Sequence, residues 1–501
     1  MAGSDKRYED CESQLDQLVV AYITHRKLRI VTRHQGVVGA VTSQFVAKWK
    51  TMERGRFKVE LEELYQVQRR KFGIEIATLS GLMPLLAAIC KQHLVPLIAV
   101  DVPREMQVEN YMLMPPLEFG GEDEVWGELR DWQQPALRLM RHTRCGRFKA
   151  ATGSGKSTLI GWFCRLAYKS RILVTTSSVG GVMDLHAAIL SQGVGAGLIN
   201  GKVQRGVNER VVCCTTGSLG RIKHLPYDVL IGDEVHEHAS KHVRAAMWPI
   251  AAERIFGFSA NQNDRKGGGD ICVEGLYGPL LFSRTYQENL AAGDVSQIAV
   301  RFVPSQPDKH TLSKQPSIRE RVLLVQNSKR NQQIADIARH YVEQENRQVL
   351  ILVRNTEHCL RIRHHLPEAV AVFRQAKDER WSDFTKWGLT REGEIEGYSI
   401  DQLQGVQAAF KRRELMLVVA NSVWFKGKDF PSLDVVIRGE AMSTPVANTQ
   451  LAGRLSRVYQ GKTRGLLVDF MDEWDPALRK RYRARFNYYE SQGWEILPMG
   501  Q

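Results

Sequence analysis

No two cysteines in this chain are spaced as C-x-x-C. Its eight cysteines, Cys11, Cys90, Cys145, Cys164, Cys213, Cys214, Cys272 and Cys359, are scattered over 501 residues, and the one close pair is adjacent. Neighbours in a strand point to opposite faces, so Cys213 and Cys214 do not make a metal clamp. The pattern predicts reduced thiols in a cytoplasmic protein rather than a disulfide framework. The chain also lacks a long uninterrupted apolar run. Its most apolar stretch, Leu79 to Val100, is broken by Lys91, Gln92 and His93 and contains Pro84 and Pro96. A bilayer span needs about 20 consecutive apolar residues, so a buried helix followed by a strand is expected here instead. Residues Gly3 to Gln17 are polar and hold no apolar signal core, and no membrane partner is expected. Negative charge is in the minority: 55 acids face 69 Lys and Arg, a formal net charge of +14. Such a surplus attracts polyanions, which makes nucleic acid the first partner to consider. Charge alone fits a diffusely basic surface equally well, so the motifs have to decide.

What is present is alternation. Short β-rich runs (Arg171–Thr175, Val211–Thr215, Val229–Ile231, Val349–Val353, Met416–Ala420, Val435–Ile437, Gly465–Asp469) are separated by helical stretches from about Leu129 to Asp472. That rhythm predicts an α/β fold of parallel sheets with helical crossovers. Pro304, Pro307 and Pro316 among polar residues read as a linker between two α/β units. The expected division is an accessory module over residues 1–115, α/β domains over 116–303 and 304–475, and a basic aromatic tail over 476–501.

Residues 150–158 read Ala-Ala-Thr-Gly-Ser-Gly-Lys-Ser-Thr and run into the helical stretch Leu159–Tyr168. Backbone N–H groups of such a loop wrap phosphate oxygens, and the glycines permit close approach. Thr152, Gly153, Ser154, Gly155, Lys156, Ser157 and Thr158 form the candidate phosphate site, with Lys156 reaching the β- and γ-phosphates and Ser157 holding Mg²⁺. Ala150 stands where the usual pattern has its first glycine. About 80 residues on, the apolar run Val229–Ile231 ends in Asp233-Glu234-Val235-His236. Carboxylates at the C-terminal end of a parallel strand lie where such sheets bind ligands. Asp233 is the expected Mg²⁺ ligand through water, and Glu234 the group that orients or deprotonates the attacking water. Two acids capping a helix explain the pair alone equally well, but not together with the phosphate loop. His236, His238 and His242 lack a cysteine or further ligand beside them, so a metal cluster is not expected.

In order and spacing these motifs resemble superfamily 2 helicases, in their XPB-like and phage UvsW-like branch, over roughly residues 126–472. The resemblance implies two tandem RecA-like P-loop domains behind a small N-terminal nucleic-acid-binding domain, with ATP and Mg²⁺ as cofactors. Leu129-Arg130-Asp131-Trp132-Gln133 is similar to the adenine-recognition motif, with Arg130 and Gln133 as readers. Thr175–Ser178 resembles motif Ia and Thr215–Leu219 motif Ib, which implies strand contacts by Thr176, Ser177, Thr216 and Ser218. Phe258-Ser259-Ala260 resembles motif III, and Tyr277-Gly278-Pro279 to Asp294 the exit from the first domain. In the second domain Val349–Arg354 resembles motif IV. Asn421 to Pro431 resembles motif V, with Asn421 toward nucleic acid and Gly427 and Asp429 toward ATP. Gln450–Arg457 resembles motif VI, which implies catalytic roles for Gln450, Arg454 and Arg457. Arg454 and Arg457 are three apart and are expected on one helical face. The chain has Asn261, Asn421 and Leu451 where relatives commonly have Thr, Thr and Arg, departures that bear on strand unwinding more than on ATP hydrolysis.

Between Arg26 and Lys58 nine Lys/Arg stand against one acid, Glu53, with Phe45, Trp49 and Phe57 interleaved. The charges read as phosphate-facing and the aromatics rather as core. In the tail, Arg479, Lys480, Arg481, Arg483 and Arg485 precede Phe486, Tyr488, Tyr489 and Trp494. They fit a strand-binding segment and a helix packed on the second domain equally well. The expected function is an ATP-dependent DNA helicase or translocase acting on forks, branched DNA or replication and recombination intermediates, with replication or recombination proteins as further partners. An RNA helicase and the motor subunit of a restriction complex are the alternatives; a P-loop kinase is disfavoured by the second domain.

Overall fold

The computed structural model describes residues 15–498 except 24–26, 54–55, 71–72, 102–111, 261–268, 309–310, 312, 314, 376–377, 391–396 and 425–429. The chain divides into two compact units at Arg284/Thr285, with the loop Ala151–Ser154 grouped with the second.

The first unit opens with a five-stranded sheet made of β1 (Val19–Ile23), β2 (Lys27–Thr32), β5 (Tyr65–Arg70), β6 (Gly73–Leu79) and β7 (Leu97–Asp101), in the order β5-β6-β2-β1-β7. A separate hairpin, β3 (Val46–Glu53) and β4 (Arg56–Glu63), stands beside it. The long apolar stretch becomes the helix Met83–Gln92 and then β7, as the interruptions imply. Pro84 falls in the helix's first turn, where a missing N–H costs nothing, and Lys91 lies in its last turn. The core of this sheet is continuous with that of the α/β body: Leu28, Ile30, Ile76 and Leu82 belong to one buried cluster with Leu230, Val235 and Tyr277.

The α/β body is an eight-stranded sheet. Its strands are β8 (Cys145–Ala150), β9 (Ile172–Thr176), β10 (Ala196–Ile199), β11 (Gln204–Arg205), β12 (Val211–Thr215), β13 (Tyr227–Asp233), β14 (Ala252–Ser259) and β15 (Leu280–Arg284), in the order β11-β10-β12-β9-β13-β14-β8-β15. All pairs are parallel except β10 with β11. Strands covered by helices on both faces need apolar side chains on both faces, and β9 and β12 are buried at every residue.

The second unit is an all-parallel seven-stranded sheet: β16 (Gln297–Pro304), β17 (Val349–Leu352), β18 (Val370–Val372), β19 (Leu417–Ala420), β20 (Val435–Arg438), β21 (Arg464–Met471) and β22 (Glu495–Ile496), in the order β18-β19-β17-β20-β21-β16-β22. The expected α/β class and its tandem RecA-like plan stand. Two expected boundaries do not. The second domain begins well before Pro304, because β16 lies inside its sheet, paired with β21 along eight residues. Pro304 ends that strand rather than opening a linker; a proline is tolerated where a ladder stops. The described part of the expected tail, residues 476–498, is not an appendage either. It forms the helix Pro476–Ser491 and the strand β22, and Tyr489 and Trp494 are buried in the second core. The run of basic residues suggests an outlying segment, but the aromatic face decides the packing.

Candidate active site

The phosphate loop leaves β8 and feeds the helix Lys156–Leu166. It turns through two left-handed glycines, Gly153 at φ +91° and Gly155 at φ +95°, a backbone that side-chain-bearing residues adopt at a cost. The Lys156 ammonium donates to the Ala150 carbonyl at 3.0 Å, and Ser154 Oγ donates to the Ala151 carbonyl at 2.8 Å. Ser157 is half-buried in the helix's first turn and Thr158 is exposed. The adenine motif is tied to this loop: Gln133 Nε2 donates to the Gly155 carbonyl at 3.0 Å, and Gln133 Oε1 accepts from the Arg130 backbone N–H at 2.9 Å. Both ends of the Gln133 amide are thus fixed, which sets its orientation.

Strand order brings the second half of the site alongside. β14 lies between β8 and β13, so the phosphate loop and the carboxylates rise from the same edge of the sheet, separated by one strand. Asp233 ends β13, and its Oδ1 is buried without a hydrogen-bond partner among the described residues. Burial first, and the neighbouring Glu234 carboxylate second, push its pKa well above the ordinary aspartate range, while the Lys156 charge opposes them. Glu234 adopts a left-handed backbone, φ +51°, which turns its side chain out of the strand direction. His236 follows, with Nδ1 3.2 Å from Glu234 Oε2 and 2.8 Å from Ser259 Oγ. It joins the D-E-x-H turn to the end of β14, where the Phe258-Ser259-Ala260 motif lies. A buried, unsatisfied carboxylate oxygen facing a lysine suits a divalent cation, and Asp233 with Ser157 is the donor set that fits Mg²⁺.

In the second unit the helix Pro445–Leu455 carries Gln450, described only by its backbone, and Arg454. Arg454 is 3% exposed, and its Nε and Nη1 have no hydrogen-bond partner among the described residues. Burial pulls its pKa down to about 9. Arg457 lies beyond the helix end at Leu455, so the expected shared helical face is corrected to a last-turn arginine and a post-helix one. That post-helix turn is held by Ser296, whose N–H donates to the Ser456 carbonyl at 2.7 Å and whose Oγ donates to the Arg457 carbonyl at 2.9 Å. Gly427 and Asp429 lie outside the described residues.

The residues expected to contact a nucleic-acid strand lie at the ends of the central strands. Thr176, Thr216, Ser218 and Asn421 are all buried. Ser218 Oγ accepts from Thr215 Oγ1 at 3.0 Å, and Asn421 Oδ1 accepts from the Val423 N–H at 3.1 Å. The Ser218 and Asn421 side chains thus close turns at the C-terminal ends of β12 and β19. Ser177, half-buried, is hydrogen-bonded to Glu237, and Ser178 caps the helix Val179–Leu190 by accepting from the Gly181 N–H at 3.0 Å.

A buried ionic network in the second unit escapes the sequence motifs altogether. Arg438 Nε donates to Glu440 Oε1 at 2.7 Å, and its Nη1 to Asn448 Oδ1 at 2.7 Å and to Tyr489 OH at 2.6 Å. Tyr489 OH and Arg485 Nε both donate to Asp469 Oδ2 at 2.8 Å. Asn448 sits on the helix that carries Arg454, and Tyr489 and Arg485 sit on the C-terminal helix. No local signal marks these charges as buried; only the fold pairs them.

No protein-family model matches the chain. It is 21% identical over 277 residues to helicase 22 of the Sulfolobus islandicus filamentous virus (isolate Iceland/Hveragerdi), which covers 53% of this chain and 46% of that protein. It is 27% identical over 99 residues to helicase D10 of Escherichia phage T5, covering 20% of this chain and 22% of that one. The chain therefore spans less than half the length of either curated relative it matches. Among solved structures, Saccharomyces cerevisiae Dbp5 bound to RNA and ADP BeF3 superposes with a TM-score of 0.54 at 12% identity, covering 77% of this chain and 95% of that one. That likeness shows the fold, a tandem RecA-like one. The relatives agree with a superfamily 2 resemblance and do not single out a branch within it.

Proposed function

We propose that this superfamily 2 relative is an ATP-driven motor that moves on, or remodels, DNA. The observation that carries the reading is the meeting, at one end of the first α/β sheet, of a phosphate loop with Lys156, a buried Asp233 oxygen without a partner among the described residues, and Glu234 on a left-handed turn. In the proposed reaction the Gly153–Thr158 backbone and Lys156 hold the β- and γ-phosphates, and Arg130 and Gln133 hold the base. Ser157 and Asp233 hold Mg²⁺, which neutralises phosphate charge when bound. Glu234 orients and deprotonates the attacking water, and its contact with His236 fixes the carboxylate's direction. Arg454 and Arg457 stabilise the charge that develops on the transferred phosphoryl group. Two guanidinium nitrogens of Arg454 are buried without a partner among the described residues, as expected of a residue that receives an anion. Gln450 belongs to the same helix and is assigned with them.

DNA is favoured by the branch that the motif set resembles and by the basic N-terminal module. RNA is the alternative, since the Dbp5 fold neighbour is bound to RNA. The deciding experiment measures ATP turnover with single-stranded DNA, duplex DNA, forked and four-way branched DNA, and RNA. Strong stimulation by forked or branched DNA supports the proposal, and stimulation confined to RNA replaces it. Among the described residues no helix is long and apolar enough to cross a membrane.

A further inference from the structure

The helix Gly269–Tyr277 has no part in the nucleotide contacts proposed above, yet its last residue touches β13, which ends in Asp233, and its neighbour β14. Tyr277 is fully buried. Its ring lies on the backbone of two glycines. A Cβ on Gly232 would stand 2.2 Å from the Tyr277 hydroxyl, and one on Gly257 would stand 2.8 Å from the ring. These glycines face each other across β13 and β14. Gly232 immediately precedes Asp233 and Glu234, and Gly257 immediately precedes Phe258 and Ser259. The tyrosine hydroxyl is also hydrogen-bonded to His238 Nδ1 at 2.7 Å, four residues past Glu234, and reaches Met247 Sδ at 3.7 Å. One side chain therefore touches the end of each strand and the far end of the segment that follows Glu234.

The helix behind it is held firmly. A Cβ on Gly81, in the N-terminal module, would stand 2.3 Å from the Glu274 carbonyl, and Leu79 packs on Gly275. Arg147, on β8, donates through Nε to the Gly278 carbonyl at 2.8 Å and through Nη2 to Glu274 Oε2 at 3.0 Å. The phosphate-loop strand, the N-terminal module and the two motif-bearing strands thus converge on one short helix.

We infer that Tyr277 is a positioning residue for ATP hydrolysis, setting the placement of Glu234 and of the His236–Ser259 link relative to the phosphate loop. Glu234 sits on a left-handed turn, so the direction of its carboxylate follows the path of residues 233–239. Tyr277 clamps that path at its start, through Gly232, and near its end, through His238. A displacement of about 1 Å at a catalytic group costs up to roughly 10²-fold in rate. A phenylalanine would keep the ring over the two glycines but remove the hydroxyl that stands nearest Gly232 and binds His238.

The inference rests on the ATPase reading, and the test separates the two. In the full chain, Tyr277→Phe is expected to leave the Kd for a fluorescent ATP analogue within about twofold, while nucleic-acid-stimulated kcat falls about tenfold. His238→Leu, which removes the polar partner that a glutamine could restore, should produce a similar fall. Adding Tyr277→Phe to it should cost less than about twofold more, because the shared bond is already gone. A role confined to packing would instead lower the melting temperature and leave kcat per folded molecule unchanged. Wild-type kcat in Tyr277→Phe overturns the inference. So do independent, multiplying losses in the double variant, or a loss of affinity with normal kcat. If Tyr277→Phe does not fold, His238→Leu with wild-type kcat overturns it equally. Wild-type protein that hydrolyses no ATP with any nucleic acid overturns the ATPase reading itself, and this inference with it.

Discussion

At the scale of single residues the candidate site holds groups that are poorly placed for stability and well placed for chemistry. Asp233 has a buried oxygen with no partner, and Arg454 a buried guanidinium with none on two of its nitrogens, both among the described residues. Burying a charge without a counter-charge costs free energy that only a ligand returns. Arg454 makes this measurable. Its pKa in the folded protein is pulled from the ordinary arginine range down to about 9, so the folded state binds the proton less tightly than the unfolded state. The penalty is then present in full below about pH 9 and relieved as the pH rises from there toward the ordinary arginine range. Arg454→Leu should therefore raise the stability of the nucleotide-free protein at neutral pH by about 0.5–2 kcal/mol. It should also cut stimulated ATP turnover by about 10³–10⁵. Calorimetry and a coupled ATPase assay check the two halves, and a fall in melting temperature would contradict the first. Glu234→Gln keeps the shape and removes the base. It should bind ATP and nucleic acid as before and hydrolyse about 10²–10⁴-fold more slowly. Lost ATP binding with normal turnover of the bound fraction would take that role from Glu234.

At the scale of elements the C-terminal helix shows why charge alone is a poor guide to position. Arg485 and Asp469 are both 0% exposed, and Arg485 also donates to the Phe470 carbonyl at 2.9 Å. Burial alone would raise the Asp469 pKa, but Arg485 and Arg438 hold it below the ordinary range. Removing one partner strands the other, so Arg485→Ala should cost about 3–5 kcal/mol and melt the second unit several degrees earlier in a thermal scan. An unchanged melting curve would return the helix to the surface role its sequence allowed. In the N-terminal module the described cations Lys48 on β3 and Arg69 on β5 are exposed. If they meet phosphates, the double variant Lys48→Ala/Arg69→Ala weakens DNA binding and lowers the log affinity–log salt slope by about 0.7–0.9 for each phosphate no longer neutralised. Titrations at several salt concentrations measure this, and an unaltered slope means the charges are only solvated. Substitution is the better test than truncation, because Leu28, Ile30 and Leu82 share a core with Leu230 and Val235.

At the scale of the whole molecule the proposed reaction needs groups from both halves of the chain. Lys156, Asp233 and Glu234 come from the first RecA-like body, and Arg454 and Arg457 from the second. Hydrolysis is then expected to be slow in the free protein and strongly stimulated by the right nucleic acid. Arg457→Ala should keep nucleotide affinity nearly intact and lose most of the stimulated rate. Measuring affinity and stimulated turnover separately decides this, and collapsed affinity with normal turnover would make Arg457 a binding residue instead. The sequence by itself determined the parallel α/β class, because β-rich apolar runs such as Val211–Thr215 and Val349–Leu352 alternate with helical stretches, the rhythm of strands joined by helical crossovers. It also located the phosphate loop and the D-E-x-H turn, since a glycine-rich turn before a helix and acids after an apolar strand are local patterns. Only the tertiary structure decided that Thr176, Thr216, Ser218 and Asn421 are buried, that Arg485 is core rather than surface, that β16 precedes the apparent linker, and that Tyr277 spans two motif strands. Each of these depends on which residues distant in the chain become neighbours. A side chain's burial and partners are properties of that packing, and the local pattern of a motif is the same whether its side chains point outward or inward.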